Sequence, residues 1–203
     1  MSEQNQTLET RSSKLKWLLP IGLLIVFLGG IFYSRGRTAF TVKQLPELAP
    51  LDQQNRMIQP APDFEVSDLA GKKFKLSDFR GKAILVNFWS TSCPACLMEL
   101  KSLESLSQQL TGKPFALLAI TDNSRDEIKQ FLDETQLKLP VYFDPGNEAH
   151  QKYQVMYLPA SFVIDPQGNL VDQIPGAADW GNPQVITYFQ KLIEISQPKK
   201  PSP

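Results

Sequence analysis

The chain has 203 residues and only two cysteines, Cys93 and Cys96, both in the stretch NFWSTSCPACLMEL of residues 87–100. Thiols separated by two residues can cycle between a dithiol and a disulfide. The chemistry they support is attack of a thiolate on a disulfide sulfur, with a mixed disulfide as the intermediate. Cys93 follows an apolar run and precedes Pro94. Proline is tolerated at the first helical position because that N–H would have no intrahelical partner. Cys93 therefore falls at a helix N-cap, where a thiolate would accept bonds from the N–H groups of Ala95 and Cys96 and be favoured by the helix dipole. It is the expected nucleophile. Cys96, one turn further in, is expected to face the core and resolve the mixed disulfide.

On a 3.6-residue period, Cys96, Leu100, Leu103, Leu106 and Leu110 form one apolar stripe, and Glu99 falls inside it. Two readings stand side by side. Glu99 is either an acid that complements the dipole of the first turn or a half-buried carboxylate of raised pKa that relays a proton to or from Cys96.

These residues need a scaffold. The run AILVNFW, between Gly81 and Ser90, suits a strand buried on both faces. Before it, FEVSDLAGKKFKLSDF reads as two short strands around a turn at Ala70 and Gly71, with Ser77 or Asp78 capping a brief helical turn. After the helix from Pro94 come a strand at FALLAIT, a helix opening at Ser124, a short strand at VYFD and a helical turn through His150. SFVID, the turn PQGN, a strand at Leu170–Ile174 and a helix over Pro183–Ile195 close the domain. Strands alternating with helices, then a hairpin and a last helix, predict an α/β sandwich with a mixed central sheet. The folded part is assigned to residues 61–196.

Outside it, Trp17–Ser34 is an uncharged stretch bracketed by Lys14, Lys16, Arg35 and Arg37. As a helix it would reach roughly 27 Å, enough for a hydrocarbon core. With no small-x-small cleavage site before Arg35, and Trp17 and Tyr33 at interfacial positions, an uncleaved transmembrane anchor is favoured over a signal peptide. Residues 1–16 then precede the anchor, 35–60 form a polar linker and 197–203 a Pro-rich tail too polar to pack. Flanking charges are balanced and do not fix the orientation.

Net charge is zero, with seven Lys/Arg against four Asp/Glu over residues 1–60, so the main domain is mildly acidic and nothing argues for nucleic acid. Two cysteines and the single histidine, His150, fall short of the usual zinc ligand set. His150 reads as a surface residue, Arg125 and Asp126 as a solvated face, and Trp180 as either a border of the site or a plug for the last helix. Phe88 and Trp89 read as core and rim packing.

LVNFWSTSCPAC resembles the active-site segment of thioredoxin-like proteins. Together with the anchor, it is similar to the TlpA/ResA branch of membrane-tethered thiol-disulfide oxidoreductases. APDFEVSDLAGKKFKLSDFRGKAILVNFW, YLPASFVIDPQGNLV and GAADW extend the resemblance from about Ala61 to Ile195. It implies a thioredoxin-like fold, catalytic Cys93 and Cys96, a cis proline at Pro159 where spacing alone allows an ordinary trans bond, and a functional Glu99. Trp89, Pro94, Leu158 and Pro159 become candidate substrate contacts, with backbone beside Pro159 able to pair with an incoming peptide. The implied partners are protein thiols and disulfides, among them apocytochrome c, and a membrane thiol transporter as electron donor. The implied location has the N-terminus in the cytoplasm and the catalytic domain in the periplasm or outside the membrane. No cofactor beyond the Cys93–Cys96 redox pair is expected, and no metal.

Departures from the pattern carry information. The aspartate that cytoplasmic thioredoxins carry in the strand before the motif is Asn87 here, so Glu99 is the natural substitute for proton transfer. The tryptophan common before the first cysteine is Ser92. Pro-Ala between the cysteines also occurs in oxidising relatives, leaving a thiol oxidant as the alternative to a reductase. A peroxiredoxin would need a threonine three residues before its reactive cysteine, where Ser90 stands. A non-enzymatic copper-binding chaperone is the second alternative, although such a protein would normally space its cysteines by three residues and needs a histidine within reach, where His150 is not expected to lie. A purely structural disulfide would close a tiny loop and gain little entropy.

Overall fold

The computed structural model describes residues 59–195. An eight-stranded sheet runs through the domain in the order β1-β8-β7-β4-β5-β6-β2-β3. Its strands are β1 (Gln59–Pro60), β2 (Glu65–Asp68), β3 (Lys73–Lys75), β4 (Ala83–Phe88), β5 (Phe115–Thr121), β6 (Val141–Phe143), β7 (Ala160–Ile164) and β8 (Asn169–Pro175). The helices are α1 (Pro94–Gln109), α2 (Arg125–Thr135), α3 (Glu148–Lys152) and α4 (Pro183–Ile195). β4, β5 and β6 are parallel and the other pairings antiparallel, so the sheet is mixed.

β4 is central because every one of its residues is buried and has a layer to face on each side. Ala83, Leu85 and Trp89 face a cluster built with α1, α2 and α4, including Leu100, Leu103, Leu106, Ile128 and Phe189. Ile84, Val86 and Phe88 face a second cluster with Phe64, Val66, Ala149, Tyr153 and Phe162. Leu85 and Asn87 pair with Val163 and Ser161 of β7, which fixes which side chains share each face. The strand end at Phe88 thus delivers residues 89–93 to the start of α1.

The sequence-based elements agree closely with these bounds, and the differences have local causes. Gln59 and Pro60 pair with Leu170 and Asn169, so the linker gives its last two residues to the sheet edge. The short 3₁₀ turn at Leu76–Phe79 is capped from Lys75, whose N–H donates to Asp78 Oδ2 at 2.8 Å, while Asp63 receives the Ser77 N–H and hydroxyl. Arg125 is not on a solvated face. Its guanidinium lies over the Phe143 ring, 4.4 Å from the centroid, and donates to the Asp68 carbonyl and the Ser67 hydroxyl, pinning β2 against β6. Nor is His150 a surface residue. Its ring packs on Phe88, and its Nδ1 lies 2.7 Å from Oδ2 of the buried Asp144. Among the described residues no helix is long and apolar enough to cross a membrane. The anchor read at Trp17–Ser34 lies outside the described residues, as do residues 1–16 and the tail.

Candidate active site

α1 begins where the sequence places it. Cys93 is the N-cap in extended conformation, Pro94 occupies the first helical position, and Cys93 Sγ accepts the Cys96 N–H at 3.2 Å. The N–H of Ala95 makes no matching bond to it, so in the disulfide form the capping sulfur has one donor. Cys93 and Cys96 form a disulfide with their Cα atoms 5.3 Å apart. Cys93 is half-buried and Cys96 fully buried, so a partner can reach the first sulfur and not the second. This asymmetry is what attack by Cys93 and resolution by Cys96 would require.

Glu99 lies one turn beyond Cys96, on the same buried face, and is only 2% exposed. Burial raises its pKa, because the charged form is disfavoured away from water. Three donors oppose that effect. Ala178 N–H and Trp180 Nε1 donate to Oε2 at 2.9 and 3.0 Å, and Asn87 Nδ2 donates to Oε1 at 2.8 Å. Asn87 also donates to Ser161 Oγ at 2.9 Å. Ser102 closes the seam between α1 and residues 176–182 by accepting the Trp180 N–H at 3.1 Å. The net direction remains upward, so Glu99 is a carboxylate poised to take a proton.

The Leu158–Pro159 bond is cis. Pro159 is buried at the entry to β7, next to Ala160, which pairs with Phe88 at the end of β4. Leu158 is half-buried and packs against both core clusters, while Pro94 is exposed. Trp89 keeps to the packing reading and drops out as a partner contact. It is fully buried against Phe131, so it offers no surface to a partner. Met156, Tyr157, Leu97 and Met98, which the sequence reading did not single out, are the large apolar side chains left exposed on the segments carrying Pro159 and the disulfide.

Trp180, Ala178 and Ser161 are parts of the site that sequence reasoning missed or left undecided. A signal was present: Asn87 and Ser161 are lone polar residues in otherwise apolar strands, and period-two alternation puts each on one definite face.

Residues 57–173 match the model of the AhpC/TSA family. The chain belongs to that family. Within the AhpC/TSA family it is similar to thiol-disulfide oxidoreductase ResA of Bacillus thuringiensis subsp. konkukian, at 31% identity over 180 residues, covering 88% of this chain and 98% of the relative. That alignment is longer than residues 59–203 together, so it continues into the segment before the domain. Among solved structures, the pneumococcal exposed lipoprotein thioredoxin of Streptococcus pneumoniae superposes with a TM-score of 0.55 at 28% identity, covering 66% of this chain and 99% of that one. A thioredoxin-family thiol:disulfide interchange protein from Chlorobium tepidum shares the fold, with a TM-score of 0.56 at 24% identity over 70% of this chain and 99% of that one. This AhpC/TSA member is a thiol-disulfide oxidoreductase with a thioredoxin-like fold.

Proposed function

We propose that the protein is a membrane-tethered, extracytoplasmic reductase of protein disulfides, with the haem-binding cysteine pairs of apocytochromes c as substrate and a membrane thiol transporter as its electron donor. The observation that carries the reading is the half-exposed Cys93 beside a buried Cys96 and a buried carboxylate of raised pKa. The continuation of the ResA similarity into the N-terminal segment supports a shared tether.

In the reductive direction the Cys93 thiolate attacks one sulfur of the partner disulfide, forming a mixed disulfide and expelling a partner thiolate. Cys96 then gives its S–H proton to Glu99. The resulting thiolate attacks Cys93 Sγ, forming the Cys93–Cys96 disulfide and releasing the second partner thiol. Two electrons pass from the dithiol to the partner, and the transporter restores the dithiol. Leu158, Pro159 and Pro94 are the proposed contacts for the partner chain. The exposed Met156 and Tyr157 add apolar surface on the same loop.

The direction of transfer is set by the reduction potential. Equilibrating the full-length chain with glutathione or dithiothreitol buffers should give a value well below about −200 mV, toward the thioredoxin end of the range. A value near about −120 mV would make the protein an oxidant and remove the cytochrome-maturation role.

A further inference from the structure

We propose that Asn87 is a reversible partner of Glu99. Its side-chain amide donates to the ionised carboxylate and, after a half-turn about the Cβ–Cγ bond, accepts from the protonated carboxyl. This rests on the reading of Glu99 as the group that exchanges a proton with Cys96.

The geometry carries the inference. Both polar neighbours of Asn87, Glu99 Oε1 at 2.8 Å and Ser161 Oγ at 2.9 Å, meet the same amide atom, Nδ2. An ionised carboxylate can only accept, which fixes that orientation. The other amide atom, Oδ1, is buried and has no partner. On the carboxylate itself, Oε2 is held by the Ala178 N–H and Trp180 Nε1, and neither group can become an acceptor. A proton arriving on Glu99 therefore belongs on Oε1, facing Asn87. The half-turn brings Oδ1 to the place of Nδ2, where it accepts the Glu99 O–H and the Ser161 O–H. Ser161 changes from acceptor to donor, as a hydroxyl can. On its far side the amide has no bond to break; the turn places the two Nδ2 N–H groups there without an acceptor, a cost that the two O–H bonds gained by Oδ1 must offset. An ionised aspartate at position 87 could serve only the protonated carboxyl, and an apolar residue neither state.

The chemistry balances with each turn. The S–H bond of Cys96 breaks, an O–H bond forms at Glu99 Oε1, and the electron pair stays on the Cys96 sulfur for attack on Cys93. Asn87 touches neither sulfur in this scheme and is a positioning residue. Of the titratable groups on its own helix, Cys96 lies one turn before Glu99 on the same buried face, and Cys93 caps the helix. On the elements around it, Asp179 is exposed and binds the Gly181 N–H, Lys101 is exposed, and Glu104 binds the Lys138 N–H.

The test is a nuclear magnetic resonance titration of the reduced full-length chain in detergent, with ¹⁵N in asparagine side chains and ¹³C in glutamate carboxyls. The Asn87 amide, assigned by its loss in Asn87→Leu, should shift with the same midpoint as the Glu99 carboxyl and lose its proton contacts to Ser161 on the acid side. Glu99→Gln, whose Nε2 can take the place of Oε1, should show the turned amide at every pH. A Glu99 carboxyl that titrates while the amide keeps its Ser161 contacts overturns the proposal and leaves the relay standing. A Glu99 carboxyl that does not titrate in step with exchange overturns the relay, and this proposal with it. Asn87→Leu should also slow exchange roughly tenfold and change the shape of its pH profile. A merely structural role would leave the shape unchanged, which would equally refute the proposal.

Discussion

The two faces of β4 are built on different principles. On one, Phe88 meets Phe162, Tyr153 and the His150 ring in mostly edge-to-face contacts, with Phe64 beyond Tyr153. On the other, Asn87 lies among leucines yet joins Glu99, Ser161 and, through Glu99, Trp180 and Ala178. The aromatic face has one good arrangement and supports the strand that carries Ala160, directly after Pro159. The polar face is held by bonds whose direction, on the proposal above, depends on where a proton sits, and it leaves Asn87 Oδ1 without a partner. A reactive pair that must change its protonation as it cycles thus rests between a layer that stays fixed and a layer that responds.

Five substitutions can break or sharpen that contrast. Cys93→Ala should abolish exchange with a disulfide peptide, while Cys96→Ala should accumulate mixed disulfides visible by non-reducing electrophoresis. Retained activity in Cys93→Ala would remove the chemistry from both faces. Phe162→Ala, on the fixed layer, should cost about 3–5 kcal/mol in denaturant unfolding, with the exchange rate per folded molecule little changed.

Glu99→Gln, on the responsive layer, should fold and slow exchange by about 10²-fold. It should also alter stability against pH. Because burial raises the folded-state pKa of Glu99 above its ordinary value, the folded protein holds a proton that the unfolded chain has lost. The wild type therefore loses stability as pH rises from the ordinary glutamate range through the raised folded value, and Glu99→Gln should lack that fall. Trp180→Phe should have the smallest effect, about 1–2 kcal/mol in unfolding. By removing a donor to the ionised carboxylate, it should also move the Glu99 limb of the exchange profile to higher pH.

The fixed layer and the backbone of the site were largely legible in the sequence. Alternation and apolar runs gave β4, β5 and β7. Pro94 after Cys93 gave the start of α1, and the apolar stripe gave the burial of Glu99. What escaped are bonds between residues far apart in the chain, Asn87 to Ser161, Glu99 to Trp180 and Arg125 to Ser67, together with the shorter link of His150 to Asp144 from α3 back to the end of β6. Local spacing sets which face a side chain takes, whereas its partner depends on which strands become neighbours. Trp89 as a partner contact failed for the same reason, since only the packing of α2 puts Phe131 over it.

The pairing of Gln59 and Pro60 with the edge of β8 has a mechanical meaning. Whatever load reaches the domain through its N-terminal segment enters through two residues and the Ala61 N–H bond to Gly168, beside a proline that cannot extend the ladder. Such a strand peels one bond at a time, without shearing the central strands. A pull through the tether proposed above would open those pairings first and leave the pairing of β4 with β5 and β7 in place, giving the domain extra reach toward a partner at little cost to its fold.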